Sequence, residues 1–142
     1  MERSKQEASS PLRPPATAGD VMRPAHTAVE PNDHLAAAAY LMRRKGATAL
    51  VVVDGEEVWR PVGVITEADI VRALADGANL NDVRIFAMMT SDPTVVSTTT
   101  SIRDAARAMV DGHFRHLPVV DGNDRLTGMV DVLDVCGALL DS

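Results

Sequence analysis

The sequence predicts an α+β fold built from two pseudo-twofold-related copies of one strand–helix–strand–strand–helix unit. Three observations predict it. The chain repeats itself, each copy carries an Asp-Gly turn between β-rich runs, and each hairpin is flanked by apolar residues at helical spacing. Aligning residues 27–55 on residues 94–122, an offset of 67, pairs Thr27/Thr94, Val29/Val96, Ala38/Ala105, Ala39/Ala106, Met42/Met109, Leu50/Leu117, Val52/Val119, Val53/Val120, Asp54/Asp121 and Gly55/Gly122. Beyond these pairs GVITEAD (63–69) matches GMVDVLD (128–134) at an offset of 65. The two-residue slip falls inside the hairpin turn, where length changes are tolerated.

Each element follows from the residues in order. Residues 1–16 carry charges and prolines without an apolar stretch, so a flexible polar tail is expected rather than a secretory signal. The first copy then spans 17–78 and the second 79–142, joined around 77–84, and a short helix-like segment leads into each (TAGDVM and NDVRIFAMM). In HLAAAAYLMRRK a cap at Asn32 or Asp33, an inner face of Leu35, Ala38, Ala39 and Met42, and a stop at Gly46 predict the first long helix. Ser101 followed by Ile102, Ala105, Ala106 and Met109 predicts its counterpart. TALVVVD and RHLPVVD read as strands, each with a second strand after its Asp-Gly turn, and TEADIVRALADG and DVLDVCGALLD read as closing helices. One unit leaves a sheet face bare; two bury it against each other.

Composition removes several function classes. Aromatics are 3% of the chain (Tyr40, Trp59, Phe86, Phe114), too few for a base-stacking groove, and the net charge of −6 opposes a nucleic-acid partner. Cys136 is the only cysteine, so no internal disulfide or thiolate zinc cluster is available; it reads as a small buried hydrophobe, and its solitude fits a reducing cytoplasm. No apolar run is long enough for a membrane span. His26, His34, His113 and His116 form no helical metal pair, and no hydrolase, zinc-protease, dinucleotide or phosphate-loop motif is present, so neither metal site nor enzyme is expected.

The succession D-V-M, T-x-V, L-x-x-A-A-x-x-M, L-P-V-V-D-G and G-V-I-T-E-A-D, its elements drawn from the two copies, resembles the cystathionine-β-synthase (CBS) domain, and the tandem of copies over residues 17–140 resembles a CBS pair or Bateman module. The resemblance implies two clefts that bind adenosine-containing ligands: AMP, ADP or ATP, with S-adenosylmethionine a weaker fit, and no required cofactor. It implies that Thr66 meets phosphate and Asp69 the ribose hydroxyls. It further implies Arg115 and His116 near the phosphates, with Thr94, Phe114 and Val64 walling the same cleft. Thr66 opens a helix, where free N–H groups and the dipole favour an anion. The same T-x-x-D is also a capping box, and the two roles are compatible. Arg115 could equally pair with a surface carboxylate, and Phe114 could be a core residue.

The second copy departs from the pattern: Asp131 replaces the hydroxyl, while Asp134 keeps the ribose-type carboxylate. A carboxylate about 4 Å from phosphate costs about 4 kcal/mol, so one nucleotide per chain is expected. The implied function is a stand-alone, cytoplasmic energy-sensing regulator that forms a homodimer and signals to an effector protein. The alternative is a ligand-free dimerisation module with vestigial clefts.

Overall fold

The structure, a computed structural model, describes residues 16–55 and 59–140, so the expected tail lies almost wholly outside the described residues. Ala49–Asp54 (β2) is apolar at five consecutive positions, and all five are buried. Such a strand must be covered on both faces. It pairs antiparallel with Arg60–Thr66 (β3), with an irregularity at Val52/Val53, and β3 pairs antiparallel with Thr90–Ser91 (β4). The second sheet runs Arg23–Pro24 (β1), Leu126–Asp131 (β7), His116–Val120 (β6), Val96–Ser97 (β5), with β5 parallel to β6. In the first copy the strand equivalent to β5 contracts to one parallel bridge, Val29 to Val52.

The two copies exchange their leading segments. Ala18–Val21 (α1) and β1 precede the first copy but lie on the second sheet: Ala18 N–H donates to the Thr100 carbonyl at 2.7 Å and Gly19 N–H to that of Thr98 at 2.9 Å. The 3₁₀ turn Ile85–Ala87 and β4 make the reciprocal crossing, and Ile85 is buried in the core of the first sheet. Each core therefore contains residues from both copies. Helices Leu35–Lys45 (α2) and Glu67–Ala75 (α3) cover the first sheet; Ile102–Gly112 (α4) and Val132–Leu140 (α5) cover the second. Between the sheets Val51, Val53 and Leu126 pack with Trp59 and Met129, and the Leu126 N–H donates to the Trp59 carbonyl at 2.7 Å.

Local chemistry departs from expectation at three places. The cap of α2 is His34, not Asn32 or Asp33, and its side chain makes no cap bond. Asp33 instead accepts from the Glu30 N–H at 2.9 Å, and the N–H groups of Leu35 and Ala36 donate to the carbonyls of Val83 and Leu80. The connecting segment thus caps the helix through tertiary contact. In the second hairpin Asp121 accepts from the N–H groups of Asn123 and Arg125, and the positive φ falls on Asp124 rather than Gly122. Cys136 is exposed: Val135 takes the buried position of α5, and one residue further turns about 100° away from the core. Ser101 caps α4 as expected, accepting from the Asp104 N–H at 3.1 Å, and Gly46 ends α2 in the left-handed conformation.

Candidate functional site

The first cleft opens where β3 passes into α3. Its lining includes Val64 and Thr66, Pro93 and Thr94, and His113 to His116, where the chain leaves α4 and enters β6. Asp131, Val132 and Leu133 complete a cavity of about 610 Å³. Val64, Thr66, Thr94, Phe114, Arg115 and His116 are therefore brought together, two from one copy and four from the other. The exchange of leading segments makes this possible, because β4 carries the chain from the second copy directly alongside β3.

Thr66 sits extended at the start of α3, and its hydroxyl oxygen accepts from the Asp69 N–H at 3.3 Å. Asp69 returns the bond twice, accepting from the Thr66 N–H at 2.8 Å and the Thr66 hydroxyl at 3.0 Å. Its other carboxylate oxygen takes two N–H groups of Arg72, each at 3.2 Å. Asp69 is 7% exposed and stands behind Thr66 rather than in the cleft wall. The Glu67 N–H is also engaged, by the Thr48 carbonyl at 2.9 Å. Much of the hydrogen-bonding capacity at this helix start is thus spent internally, and the exposed Arg115 brings a positive charge to the lining of the same cavity.

Phe114 is half-buried, packs against the second core, and lies so close over Gly112 that a Cβ there would overlap its ring. It both fills core and walls the cleft. Its neighbour His113 ends α4 in the left-handed conformation (φ 58°), a conformation with a steric cost for a side chain bearing Cβ. His116 shares a 3.2 Å hydrogen bond with the Thr48 hydroxyl. Burial lowers its pKa below the ordinary 6.5 and Arg115 lowers it further, against opposing pulls from Asp131, Glu67 and Asp134. Its neutral form is therefore favoured at neutral pH.

A second cleft, about 450 Å³, occupies the pseudo-symmetric position, with Arg23, His26, Thr27, Lys45 and Asp131 among its lining residues. Asp131 and Asp134 repeat the capping box: Asp131 accepts from the Asp134 N–H at 2.9 Å, and Asp134 from the Asp131 N–H at 3.0 Å. Asp134 belongs to this corner, 3.4 Å from Arg23, and lies outside the lining of the first cleft. The Asp131 carboxylate has a counter-ion that the sequence did not indicate: Arg23 Nε stands 3.8 Å from it. Motif reading did not single out Arg23, Lys45 or His26. The 67-residue offset does align Arg23 with Thr90, but the consequence depends on β1 crossing to β7. Among the described residues no cluster of side chains could hold a metal ion, and no helix is long and apolar enough to cross a membrane.

Known proteins share this arrangement. The sequence profile of the CBS domain matches residues 18–76 and again 82–141. An uncharacterized 17.7 kDa protein of Acidianus ambivalens is 40% identical over 113 residues, covering 80% of this chain and 66% of that protein. The crystal structure of the Arabidopsis thaliana protein CBSX2 in complex with AMP superimposes with a TM-score of 0.71 at 31% identity, covering 89% of this chain and 97% of that one. A CBS domain protein of Pyrobaculum aerophilum complexed with AMP gives 0.76 at 26% identity, covering 88% and 96%. The chain spans 66% and 53% of the lengths of two archaeal relatives that it matches.

Proposed function

The chain belongs to the CBS domain family, and from that premise we propose that it is a non-catalytic regulatory module binding an adenosine-containing ligand of the AMP, ADP or ATP type in its first cleft. The observation that carries this reading is the meeting of Val64 and Thr66 with Thr94, Phe114, Arg115 and His116 around one cavity of about 610 Å³. That volume lies in the range of small-ligand sites. Val64 and Phe114 offer apolar surface to the base; Arg115 and His116 face the phosphates; Asp69 fixes the Thr66 hydroxyl from behind and meets a ribose hydroxyl only by reorganising that contact. Solved relatives that hold AMP support the ligand class. The output passes to a second copy of the chain and to an effector protein in the cytoplasm.

A second reading has its own observation. Val71, Leu74, Val110, Leu133 and Leu140 are each more than half exposed, and both capping boxes are internally satisfied, as a ligand-free dimerisation module would have them. Calorimetry and thermal-shift measurements with AMP, ADP, ATP, NAD and S-adenosylmethionine separate the two. The nucleotide reading expects saturable binding that Arg115→Ala weakens. No shift with any ligand, together with a dimer in light scattering, would establish the second.

A further inference from the structure

We propose that Arg23, which lines only the second cleft, sets the affinity of the first cleft for anionic ligands by neutralising Asp131. Asp131 lines both clefts, whereas Arg23 lines the second alone. One Asp131 oxygen accepts the capping N–H of Asp134, and the other stands 3.8 Å from Arg23 Nε, while Arg23 Nη2 reaches Asp134 at 3.4 Å. The two carboxylates are mostly covered, at 22% and 15% side-chain exposure, whereas Arg23 is 71% exposed, so solvent weakens its hold on their charge without abolishing it.

The repeat shows why the cation comes from so far away in sequence. In the first copy the carboxylate of the capping box is held by Arg72 on its own helix, at 3.2 Å. The position equivalent to Arg72 is Gly137, which offers no charge, and the position equivalent to Arg23 is Thr90. The second copy therefore carries one extra carboxylate and lacks the helical arginine. β1 supplies the substitute, anchored by its antiparallel pairing of Arg23 with Met129 on β7.

This inference rests on the nucleotide reading and adds regulation to it. An anion that draws Arg23 away within the second cleft exposes the Asp131 charge to the first, so the two clefts oppose each other in binding anions. The charge is also sensed by His116, whose cross-strand neighbour is Asp131. The charged groups acting on that imidazole are Asp131, Arg115, Glu67 and Asp134.

The test combines AMP calorimetry with NMR titration of His116 between about pH 5 and 8 in the full chain. Arg23→Gln should lower AMP affinity by about three- to tenfold and raise the His116 pKa, whereas Asp131→Asn should raise affinity. In the Asp131→Asn background Arg23→Gln should change both readouts much less, the remainder passing through Asp134, and Arg23→Lys, which keeps the charge, should stay near the parent. Equal effects of Arg23→Gln in both backgrounds, or a lysine variant that behaves like glutamine, would overturn the proposal. If the native chain binds no AMP, the nucleotide reading fails by itself. The His116 titration then still decides whether Arg23 governs the charge in the first cleft: a raised pKa supports that role, and an unmoved pKa refutes it.

Discussion

At the start of α3 the capping pair is Thr66 and Asp69; at the start of α5 it is Asp131 and Asp134. The backbone geometry of the two boxes is nearly the same, with N–H to carboxylate distances of 2.8 and 3.0 Å. Their electrostatics differ. The first box places a neutral hydroxyl at the cleft and directs its carboxylate toward Arg72 on the helix, whereas the second places a carboxylate there and takes a cation from a strand 111 residues away in sequence. Capping constrains a residue to be a short acceptor, which threonine and aspartate both satisfy. Ligand recognition also reads its charge. Two copies of one fold can thus keep the same cap while presenting different charge to their clefts.

The largest expected effect comes from removing one member of the comparison altogether. Residues 17–80 alone should not fold, because α1 and β1 would lose the second sheet and the first core would lose Ile85. A soluble half that melts cooperatively by circular dichroism would show that the copies are independent. Next, Thr66→Asp makes the first box resemble the second without supplying its arginine. The cap survives, so the unliganded melting temperature should move little, while nucleotide affinity falls by up to about a thousandfold if phosphate lies about 4 Å away. Unchanged affinity in calorimetry would place the phosphate elsewhere.

The converse change sharpens the same contrast. Asp131→Thr alone gives the second box the charge pattern of the first, a hydroxyl beside one carboxylate held by an arginine, because Arg23 remains on Asp134 as Arg72 remains on Asp69. Binding stoichiometry should then rise from one nucleotide per chain toward two, and a count that stays at one would show that shape rather than charge limits the second cleft. A smaller effect is expected from Asp69→Asn. Loss of a charged acceptor from a buried cap should cost about 1–2 kcal/mol, several degrees in melting temperature, with or without ligand. An unliganded melting point that does not move would show that the box contributes little.

The smallest effect concerns His116. Because its folded pKa lies below the unfolded value near 6.5, the unfolded chain binds the proton more readily. The associated stability is complete above about pH 6.5 and is lost as pH falls through the folded pKa. The melting temperature should therefore decline between about pH 7.5 and 5.5, and His116→Gln should flatten that decline. A slope that survives the substitution would assign it to other groups.

Most of the fold was legible because it rests on local signals that recur. Apolar stripes such as Leu35, Ala38 and Met42, β-rich runs beside Asp-Gly turns, and the offset that superposes one copy on the other each report a short-range physical preference. The Ser101 cap and the Gly46 stop belong to the same class. The meeting of six cleft residues rests on the family resemblance, since spacing alone says nothing of which copy faces which. The sequence by itself thus determined two equivalent units and the chemical difference between Thr66 and Asp131. Only the tertiary structure decided that the leading segments cross, that Leu80 and Val83 rather than Asp33 cap α2, that Cys136 faces outward, and that Arg23 stands beside Asp131. The physical reason is range: caps, turns and periodicities act over a few residues, whereas a counter-ion or a strand partner is chosen by whichever segment the completed core brings alongside.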